Sequence, residues 1–332
     1  LPIQNKDTVN QNFKIRRTVI NNEIIPYLIN KYTFQKLDGP ISLTSDESIK
    51  INDTNYGRNF YLIKDSYGTW TLVQKLSFPD YLKGVLPHEI GANSPLEALK
   101  AQAVIARTWA IYNSNRFEAD KFHLCVTTQC QVYKPPIANK NIEKAITDTK
   151  NKVLVFDDKP INAFYHASNG GISASSSESW EMSDYPYFTS DFDFINFEKK
   201  YLYPSRKKRN ELKNFLNSDK NNFFGKDHYL FRWKKKVSDK EILNLLQKND
   251  LVKINSKILD LKVVKRGTSG RVIQLEISHN NPMSSITLAK DDIRKSLNFL
   301  PSNLFIIDKL NDNLWVFTGG GFGHGVGLSQ SG

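Results

Sequence analysis

The segment that decides the fold is YLKGVLPHEIGANSPLEALKAQAVIARTWA, which runs from Tyr81 to Ala110. Pro87 lacks a backbone N–H and clashes with the preceding turn, so it breaks any helix that arrives from Asp80. The stretch after it has the pattern of a second, longer helix. Glu89 is therefore predicted to lie on a bend between two helical segments. On composition alone, a glutamate in such a turn is an ordinary surface residue.

The longer helix has a predicted start. Ser94, Pro95 and Glu97 fit a capping box, with the serine as N-cap, the proline at the first helical position and the glutamate reaching back. Lys100 and Arg107 are seven positions apart and share one face of this helix. Apolar residues recur at steps of three and four along another face, which we expect to pack inward: Leu96, Leu99, Ala103, Ala106 and Ala110.

Composition limits the choice of partners. The 332-residue chain carries a formal charge of +12, which favours an anionic partner such as cell wall, nucleic acid or a membrane surface. No apolar run approaches the roughly 18 residues that cross a bilayer. Nothing resembles a nucleic-acid platform of interleaved aromatic and basic residues, so no nucleic-acid partner is expected. Much of the charge lies in Lys199, Lys200, Arg206 to Arg209, Lys213 and Lys234 to Lys236.

The order of patterns predicts an α+β protein. Residues 1–77 contain short strand-like pieces between turn signals, which indicates a small β-rich N-terminal module. Residues 78–332 form the remaining region, with a basic insertion or lobe at about 192–250 that ends in a helix at about Asp239 to Lys248. Strands are predicted at 59–63, 69–74, 152–156, 161–166, 258–265, 271–278, 285–288, 304–307 and 314–318, and a further short helix at 141–150.

Three more blocks follow the first in order. They are TTQCQVYK (127–134), INAFYHASNGGISASSSESW (161–180) and GGGFGHGVGLSQ (319–330), with the weaker TSGRVIQLEI and DDIRKSLNF between the last two. The ordered set resembles the stage II sporulation protein D and amidase enhancer family, over about three-quarters of the chain. The family's usual Ser-Glu-Met appears here as His88-Glu89-Ile90. The resemblance implies lytic cleavage of peptidoglycan glycan strands by those members that are enzymes.

The resemblance places the family's catalytic acid on Glu89. An ordinary glycosidase uses two carboxylates, whereas a lytic transglycosylase needs one, because the C6 hydroxyl of N-acetylmuramic acid attacks its own C1. Partial burial of Glu89 against apolar neighbours is expected to keep its carboxyl protonated until it is used. Glu178 and Glu181, in a serine-rich stretch, are the remaining acidic candidates. This chemistry requires no cofactor.

Other residues are proposed to bind the glycan, in a cleft between lobes. The glycine-rich run at 319–327 allows close approach of backbone to a ligand, and it lacks the Gly-Lys-Ser/Thr ending of a phosphate loop. The resemblance favours contacts from both the long helix and the later blocks. The candidate substrate-binding residues are Lys100, Gln102, Arg107, Gln131, Tyr133, Tyr165, His166, Ser168, His324, Ser329 and Gln330.

The two cysteines leave three alternatives open. His123, Cys125 and Cys130 could supply three of the four ligands of a structural zinc ion. The same pair could form a disulfide in an exported protein, or remain as two free thiols.

Two other functional classes also remain. One is a non-catalytic cell-wall-binding module that stimulates an N-acetylmuramoyl-L-alanine amidase. The other is a cationic binder of nucleic acid or of the envelope surface. For the enzyme, the expected substrate is peptidoglycan strands freed of stem peptides, with an amidase as partner. The expected location is the cell envelope, periplasm or cell wall, reached through a removed signal peptide or an anchor.

Overall fold

The computed structural model describes residues 14–29, 34–45, 48–196, 208–253, 256–280 and 283–332. The chain divides into two compact units, Leu1–Asn162 and Ala163–Gly332. Helix and strand account for 25% and 31% of the residues, which confirms the α+β class. Within the described ranges, no helix is both long enough and apolar enough to span a membrane. The predicted cleft between lobes stays a prediction.

The helices that carry the fold are α1 (Phe78–Leu86), α2 (Leu96–Tyr112), α3 (Lys140–Asp148), α4 (Ser176–Ser179), α5 (Arg209–Leu216), α6 (Asp239–Lys248) and α7 (Asp291–Ser296). A π-helical turn, Pro87–Gly91, connects α1 to the segment before α2. The predicted bend around Glu89 is therefore confirmed.

Strands of the first unit form small antiparallel sheets. They are β1 (Lys14–Ile20), β2 (Glu23–Ile29), β3 (Phe34–Lys36), β4 (Ile41–Thr44), β5 (Lys50–Ile51), β6 (Thr54–Asn55), β7 (Asn59–Lys64), β8 (Trp70–Gln74), β9 (Val155–Phe156) and β10 (Lys159–Pro160). The predicted strands at 59–63 and 69–74 are confirmed as β7 and β8. The predicted strand at 152–156 is reduced to two residues in β9, which pairs only with β10.

Strands of the second unit are β11 (Tyr165–His166), β12 (Trp233–Ser238), β13 (Ile258–Arg266), β14 (Val272–Asn280), β15 (Met283–Ala289), β16 (Phe305–Asn311), β17 (Leu314–Gly319) and β18 (Leu328–Ser329). Two antiparallel three-stranded sheets, in the orders β13-β14-β15 and β12-β17-β16, supply most of them. The strands predicted from residue 258 onward are confirmed. Of the strand predicted at 161–166, only β11 forms.

Helices α1, α2 and α3 share the core of the first unit. Leu82, Leu86 and Leu99 are fully buried there, and each such side chain contributes about 1.5 to 3 kcal/mol through its removal from water. Tyr56 and Leu76, from the preceding β-rich stretch, pack against the same core. Because these contacts tie the stretch to the helices, the division between the units lies after Asn162, whereas the predicted boundary lay at residue 77.

The predicted capping box before α2 is wrong. The hydroxyl of Ser94 donates to the carbonyl oxygen of Ile90 at 2.7 Å, and the N-cap of α2 is Pro95, which makes no side-chain cap. Glu97 forms an ion pair with Lys100 instead of reaching back. The π turn leaves a carbonyl near Ser94, and that tertiary partner replaces the local cap.

The described parts of the predicted insertion or lobe, 192–196 and 208–250, contribute to the core of the second unit, and the division into an insertion stays a prediction. Their apolar side chains form one buried cluster with Ile172, Leu304 and Ile306, through Phe192, Phe194, Leu212, Phe215, Leu216, Phe223 and Phe231. Helix α6 has the bounds that its sequence predicts, with a complete capping box between Ser238 and Glu241.

The basic run of this stretch is only partly described. Lys199, Lys200, Arg206 and Lys207 lie outside the described residues. Lys234 to Lys236 lie on β12, which is an edge strand of its sheet, and their side chains are exposed. Charged lysines on an edge strand oppose pairing with a strand of another chain. Part of the basic charge therefore protects this edge of the sheet from aggregation.

Candidate functional site

Glu89 lies in the π-helical turn Pro87–Gly91, directly after α1. Pro87 cannot donate a backbone hydrogen bond, which disturbs the regular α-helical ladder at this point. Single π turns inside or between α-helices are frequent at functional sites, because they displace one residue from the regular helix surface. The Glu89 side chain is half-buried there.

The carboxylate of Glu89 is held by the segment that follows the second cysteine. The backbone N–H of Val132 donates to Oε1 of Glu89 at 2.5 Å. Next to it, the Tyr81 hydroxyl donates to Oε1 of Gln131 at 2.9 Å, and Nε2 of Gln131 donates to the Ala106 carbonyl at 3.3 Å. Residues 131 and 132 are thereby fixed to α1 and α2, and they fix the carboxylate in turn.

Tyr81 lies beside this carboxylate, and Tyr133 packs against Tyr81. Burial, together with the negative charge of Glu89, raises the pKa of Tyr81. The ring of Tyr133 stacks parallel to that of Tyr81, with centroids 6.0 Å apart, and burial raises the pKa of Tyr133 to about 12. Gly84 makes room for this ring, since a Cβ at that position would lie 2.2 Å from Cε2 of Tyr133. Both phenols are therefore neutral hydrogen-bonding groups at physiological pH.

Three predicted substrate-binding residues on α2 are engaged within the first unit. Lys100 forms ion pairs with Glu97 at 2.8 Å and Asp148 at 3.2 Å, and hydrogen bonds to these carboxylates raise its pKa. Arg107 is buried and donates to the carbonyl oxygen of Lys152 at 2.8 Å. Gln102 is fully buried. Their roles in substrate binding stay predictions.

A second cluster of predicted residues lies in the second unit. Strands β11 and β18 pair in parallel, with Tyr165 opposite Leu328 and His166 opposite Ser329. This ladder joins the block at 161–180 to the block at 319–330. It brings the rings of His166 and His324 to a centroid distance of 5.3 Å.

The two histidines of this cluster are neutral and have opposite tautomers. Nδ1 of His166 donates to the Val326 carbonyl at 3.1 Å, while the Val326 N–H donates to Nδ1 of His324 at 3.1 Å. Burial lowers the pKa of both rings, and nearby arginines lower it further. Nε2 of the buried His166 keeps a lone pair and has no partner among the described residues.

Aromatic rings enclose the histidine pair. Trp180 lies 4.7 Å from the ring of His324 and 4.5 Å from that of Phe164, measured between centroids. Neither Trp180 nor Phe164 carries a functional signal in the sequence, because each is an apolar side chain in a strand or loop pattern and is ordinarily interpreted as core. Tyr81 was missed for the same reason.

The remaining predicted residues of this unit stabilise the loops. Ser168 and Ser329 are buried, and their hydroxyls accept from the N–H groups of Gly170 at 3.4 Å and Asn169 at 3.3 Å. The backbone N–H of Gln330 donates to the His166 carbonyl at 2.9 Å. Ser168 and Ser329 thus help to hold the backbone around the histidine pair.

Arg271 clamps the same loops from the inside. It is almost completely buried, and its Nη2 donates to the carbonyl oxygens of Asn169 at 2.9 Å and Ile172 at 3.0 Å. The guanidinium lies against Gly325, where an added Cβ would be 2.2 Å from Nη2. The glycine therefore permits a close approach that no larger residue allows.

Two family models match the chain. The model described as stage II sporulation protein covers residues 66–156, and one described as a domain of unknown function (DUF8618) covers residues 174–327. The amidase enhancer of Bacillus subtilis is 26% identical over 271 residues, which are 76% of this chain and 36% of that protein. Stage II sporulation protein D of the same organism is 31% identical over 134 residues, 36% of this chain and 39% of that one. Residues 66–156 match the stage II sporulation protein model, and the chain is similar to members of the stage II sporulation protein D and amidase enhancer family.

An uncharacterised protein of Brachyspira hyodysenteriae is 29% identical over 272 residues, 80% of this chain. The chain spans 62%, 36% and 39% of the lengths of these three relatives. Glu89 and its neighbours lie within the stretch that matches the stage II sporulation model. His324 and Trp180 lie within the other matched stretch.

The two cysteines form a disulfide, Cys125–Cys130. A disulfide sulfur is not a thiolate and does not ligate zinc as one, so the zinc interpretation of His123, Cys125 and Cys130 is corrected for the oxidised chain. In the described part of the chain, no group of three or more His, Cys, Asp or Glu residues could hold a metal ion. The residues present thus do not fit a structural zinc ion.

The other acidic candidates serve contacts of the second unit. Glu178 is buried and accepts hydrogen bonds from the Thr268 hydroxyl at 2.6 Å and the Ser269 N–H at 3.0 Å. Glu181 forms an ion pair with Lys290 at 2.9 Å.

The buried histidine predicts a dependence of stability on pH. Because burial lowers the pKa of His166 in the folded chain, only the unfolded chain takes up this proton as the pH falls below about 6.5. The free energy of unfolding should therefore decrease on acidification. Well below that pH, His166→Gln should make this decrease shallower by about 1.4 kcal/mol per pH unit. Urea unfolding between pH 7 and pH 5 measures the free energy of unfolding of the wild type and of His166→Gln. Parallel pH profiles would contradict a neutral His166.

Proposed function

We propose that this chain cleaves peptidoglycan glycan strands as a lytic transglycosylase, with Glu89 as its acid and base. The observation that carries the proposal is the placement of Glu89. Its half-buried carboxylate lies in a π turn, is oriented by the Val132 N–H, and is flanked by neutral Tyr81. General acid and base catalysis requires such a positioned carboxyl group within reach of the reacting atoms.

The proposed reaction needs one carboxyl group for two proton transfers. Glu89 first donates its proton to the glycosidic oxygen, and the bond between that oxygen and C1 of N-acetylmuramic acid breaks. The C6 hydroxyl of the same sugar then bonds to C1, and the Glu89 carboxylate accepts the hydroxyl proton. The product is a 1,6-anhydro end, no water is consumed, and Glu89 returns to its protonated form.

Contacts with the glycan would come from neutral hydrogen-bonding groups. In the first unit, the half-buried Tyr81 lies beside Glu89, while Gln131 is buried and holds the Tyr81 hydroxyl in place. In the second unit, the half-buried Tyr165 and Gln330 carry side chains that can donate and accept hydrogen bonds, whereas Nε2 of His166 is buried. Sugar hydroxyl and acetamido groups both donate and accept hydrogen bonds, so this set matches their chemistry.

The proposed setting is the cell envelope, where the chain would act after export. A site lined by neutral groups favours strands already stripped of stem peptides, and an N-acetylmuramoyl-L-alanine amidase acting first would supply them. The disulfide is consistent with an oxidising compartment.

A second candidate function is a non-catalytic enhancer of such an amidase. It is favoured by the relative named amidase enhancer, because 76% of this chain aligns with that protein. An enhancer would bind glycan and turn over none of it. Loss of Glu89 should leave its function unchanged.

The product distinguishes the two candidates and tests the mechanism. Digestion of peptide-free strands in heavy-oxygen water should give 1,6-anhydro ends without the label, since an internal hydroxyl is the nucleophile. Mass spectrometry of the fragments measures this, and peptide-bearing strands should be cleaved more slowly. Labelled reducing ends formed directly at cleavage would mean hydrolysis, and the absence of any cleavage with binding retained would favour the enhancer.

A further inference from the structure

Exposed aromatic rings form a continuous surface in the second unit. Tyr229 is 76% exposed, and its ring stacks on that of half-buried His228 at a centroid distance of 4.8 Å. The His228 ring is also 6.2 Å from that of Phe322, which is 40% exposed. Single exposed apolar residues are common, whereas joined ones mark binding surfaces. We call these three residues the aromatic platform.

Phe322 is fixed in its exposed position by backbone contacts. Its N–H donates to the Ser168 carbonyl at 2.8 Å, and its carbonyl accepts from the Ser168 N–H at 3.1 Å. Gly321 and Gly323 on either side have φ of +86° and +107°, a region that favours glycine. The exposure of the Phe322 ring is therefore fixed by the backbone and is not the result of a loose loop.

His228 adds a neutral polar group to the platform. Its Nδ1 accepts from the Leu230 N–H at 3.1 Å, so in the neutral ring Nε2 carries the hydrogen. Burial lowers the pKa of His228, which keeps the ring uncharged at neutral pH. The Tyr229 hydroxyl supplies a second donor and acceptor. The platform thus combines apolar ring faces with hydrogen-bonding groups and carries no charge of its own.

These properties fit a sugar ring. A pyranose has an apolar C–H face, which packs on an aromatic ring, and a rim of hydroxyl groups, which need donors and acceptors. A phosphate or an acidic polymer would call for lysine or arginine in these positions. The platform is tied to the loops that carry the histidine pair, because Phe322 pairs with Ser168 and these residues lie two positions from His324 and His166.

We propose that the platform of His228, Tyr229 and Phe322 is a binding subsite for a pyranose unit of a glycan strand. The choice of glycan rests on the proposed function, whereas the subsite itself involves no bond cleavage. It would add affinity for glycan strands without contributing to the chemical step. Its loss should therefore weaken glycan binding.

The test measures binding with cleavage removed. In a Glu89→Gln background, isothermal titration calorimetry measures binding of peptide-free glycan strands. Adding Tyr229→Ala and Phe322→Ala should weaken this binding about tenfold, as expected for losing one or two stacked rings. Tyr229→Trp should keep the affinity. The matched control is Tyr67→Ala, because Tyr67 is 86% exposed in the first unit and should have no effect.

The outcomes separate this inference from the proposed function. Unchanged affinity for glycan strands in the double variant overturns the subsite, even if the wild type cleaves them. Affinity that depends on the rings, in a wild type that cleaves nothing, supports the subsite and overturns the transglycosylase. If the variants keep their glycan affinity but lose binding to an amidase, the platform is a protein contact and the inference fails. Should the double variant lose its circular dichroism spectrum, Tyr229→Ala alone decides, because that side chain is mostly in solvent.

Discussion

Glu89→Gln should lower the turnover of peptide-free glycan strands by about 100-fold to 10,000-fold, the range that a positioned acid or base contributes. The amide has the shape of the carboxylate, and its oxygen can still accept from the Val132 N–H, but it has no proton to transfer. The fold should therefore be unchanged. Turnover and circular dichroism are measured on the same preparation.

Glu97→Gln is the matched control for this variant. Glu97 lies in the same region of the chain, but it is exposed and its partner is Lys100. An exposed ion pair of this kind contributes about 0 to 1 kcal/mol, so the control should keep nearly full turnover. Wild-type turnover in Glu89→Gln would refute the proposed acid, and Glu178→Gln and Glu181→Gln would then be measured.

Gly325→Ala should lower the free energy of unfolding by about 2 to 4 kcal/mol. Gly325 has φ of +84°, which strains any residue with a Cβ, and the added methyl group would meet the guanidinium of Arg271. That guanidinium cannot move aside without losing its hydrogen bonds to Asn169 and Ile172. Denaturant unfolding measures the change.

Gly39→Ala separates the two causes of this destabilisation. Gly39 has a similar φ of +79°, but no atom lies within 4 Å of an added Cβ. It should therefore cost only the backbone strain, about 1 to 2 kcal/mol. Equal losses in the two variants would show that the contact with Arg271 contributes nothing, and the clamp on the loops around the histidine pair would be wrong.

The sequence predicted the bounds of an element correctly where residues of that same element set them. Helix α6 has the predicted bounds because Ser238 and Glu241 cap it within its own first turn. Ser94 carries a similar local signal, yet its hydroxyl binds Ile90 across the π turn. The difference is a tertiary partner, which a local pattern does not contain. The same limit explains why the sequence did not predict the burial of several phenylalanines after residue 192.

The residues of the candidate site could be predicted where they belong to a sequence motif. They could not be predicted where they depend on contacts between residues that are distant in sequence. The bend at Glu89 follows from Pro87, whereas the roles predicted for Glu89, Gln131 and Tyr133 came from the resemblance of their blocks. The contact between Val132 and Glu89 joins positions 43 residues apart. It is made by a backbone amide, so the side-chain type at position 132 does not predict it. Tyr81 and Trp180 were missed because an aromatic residue in an apolar pattern has the same appearance in a core and in a site.

The Cys125–Cys130 disulfide ends one residue before Gln131, so it closes the loop that presents the partner of Glu89. A loop this short removes little entropy from the unfolded chain, and the chain-entropy model gives about 2 kcal/mol of stabilisation. Its larger effect is local, because it restrains the backbone that leads to the Val132 amide. We therefore expect oxidation of the two thiols to restrain the loop beside Glu89, and reduction of the disulfide to loosen that loop.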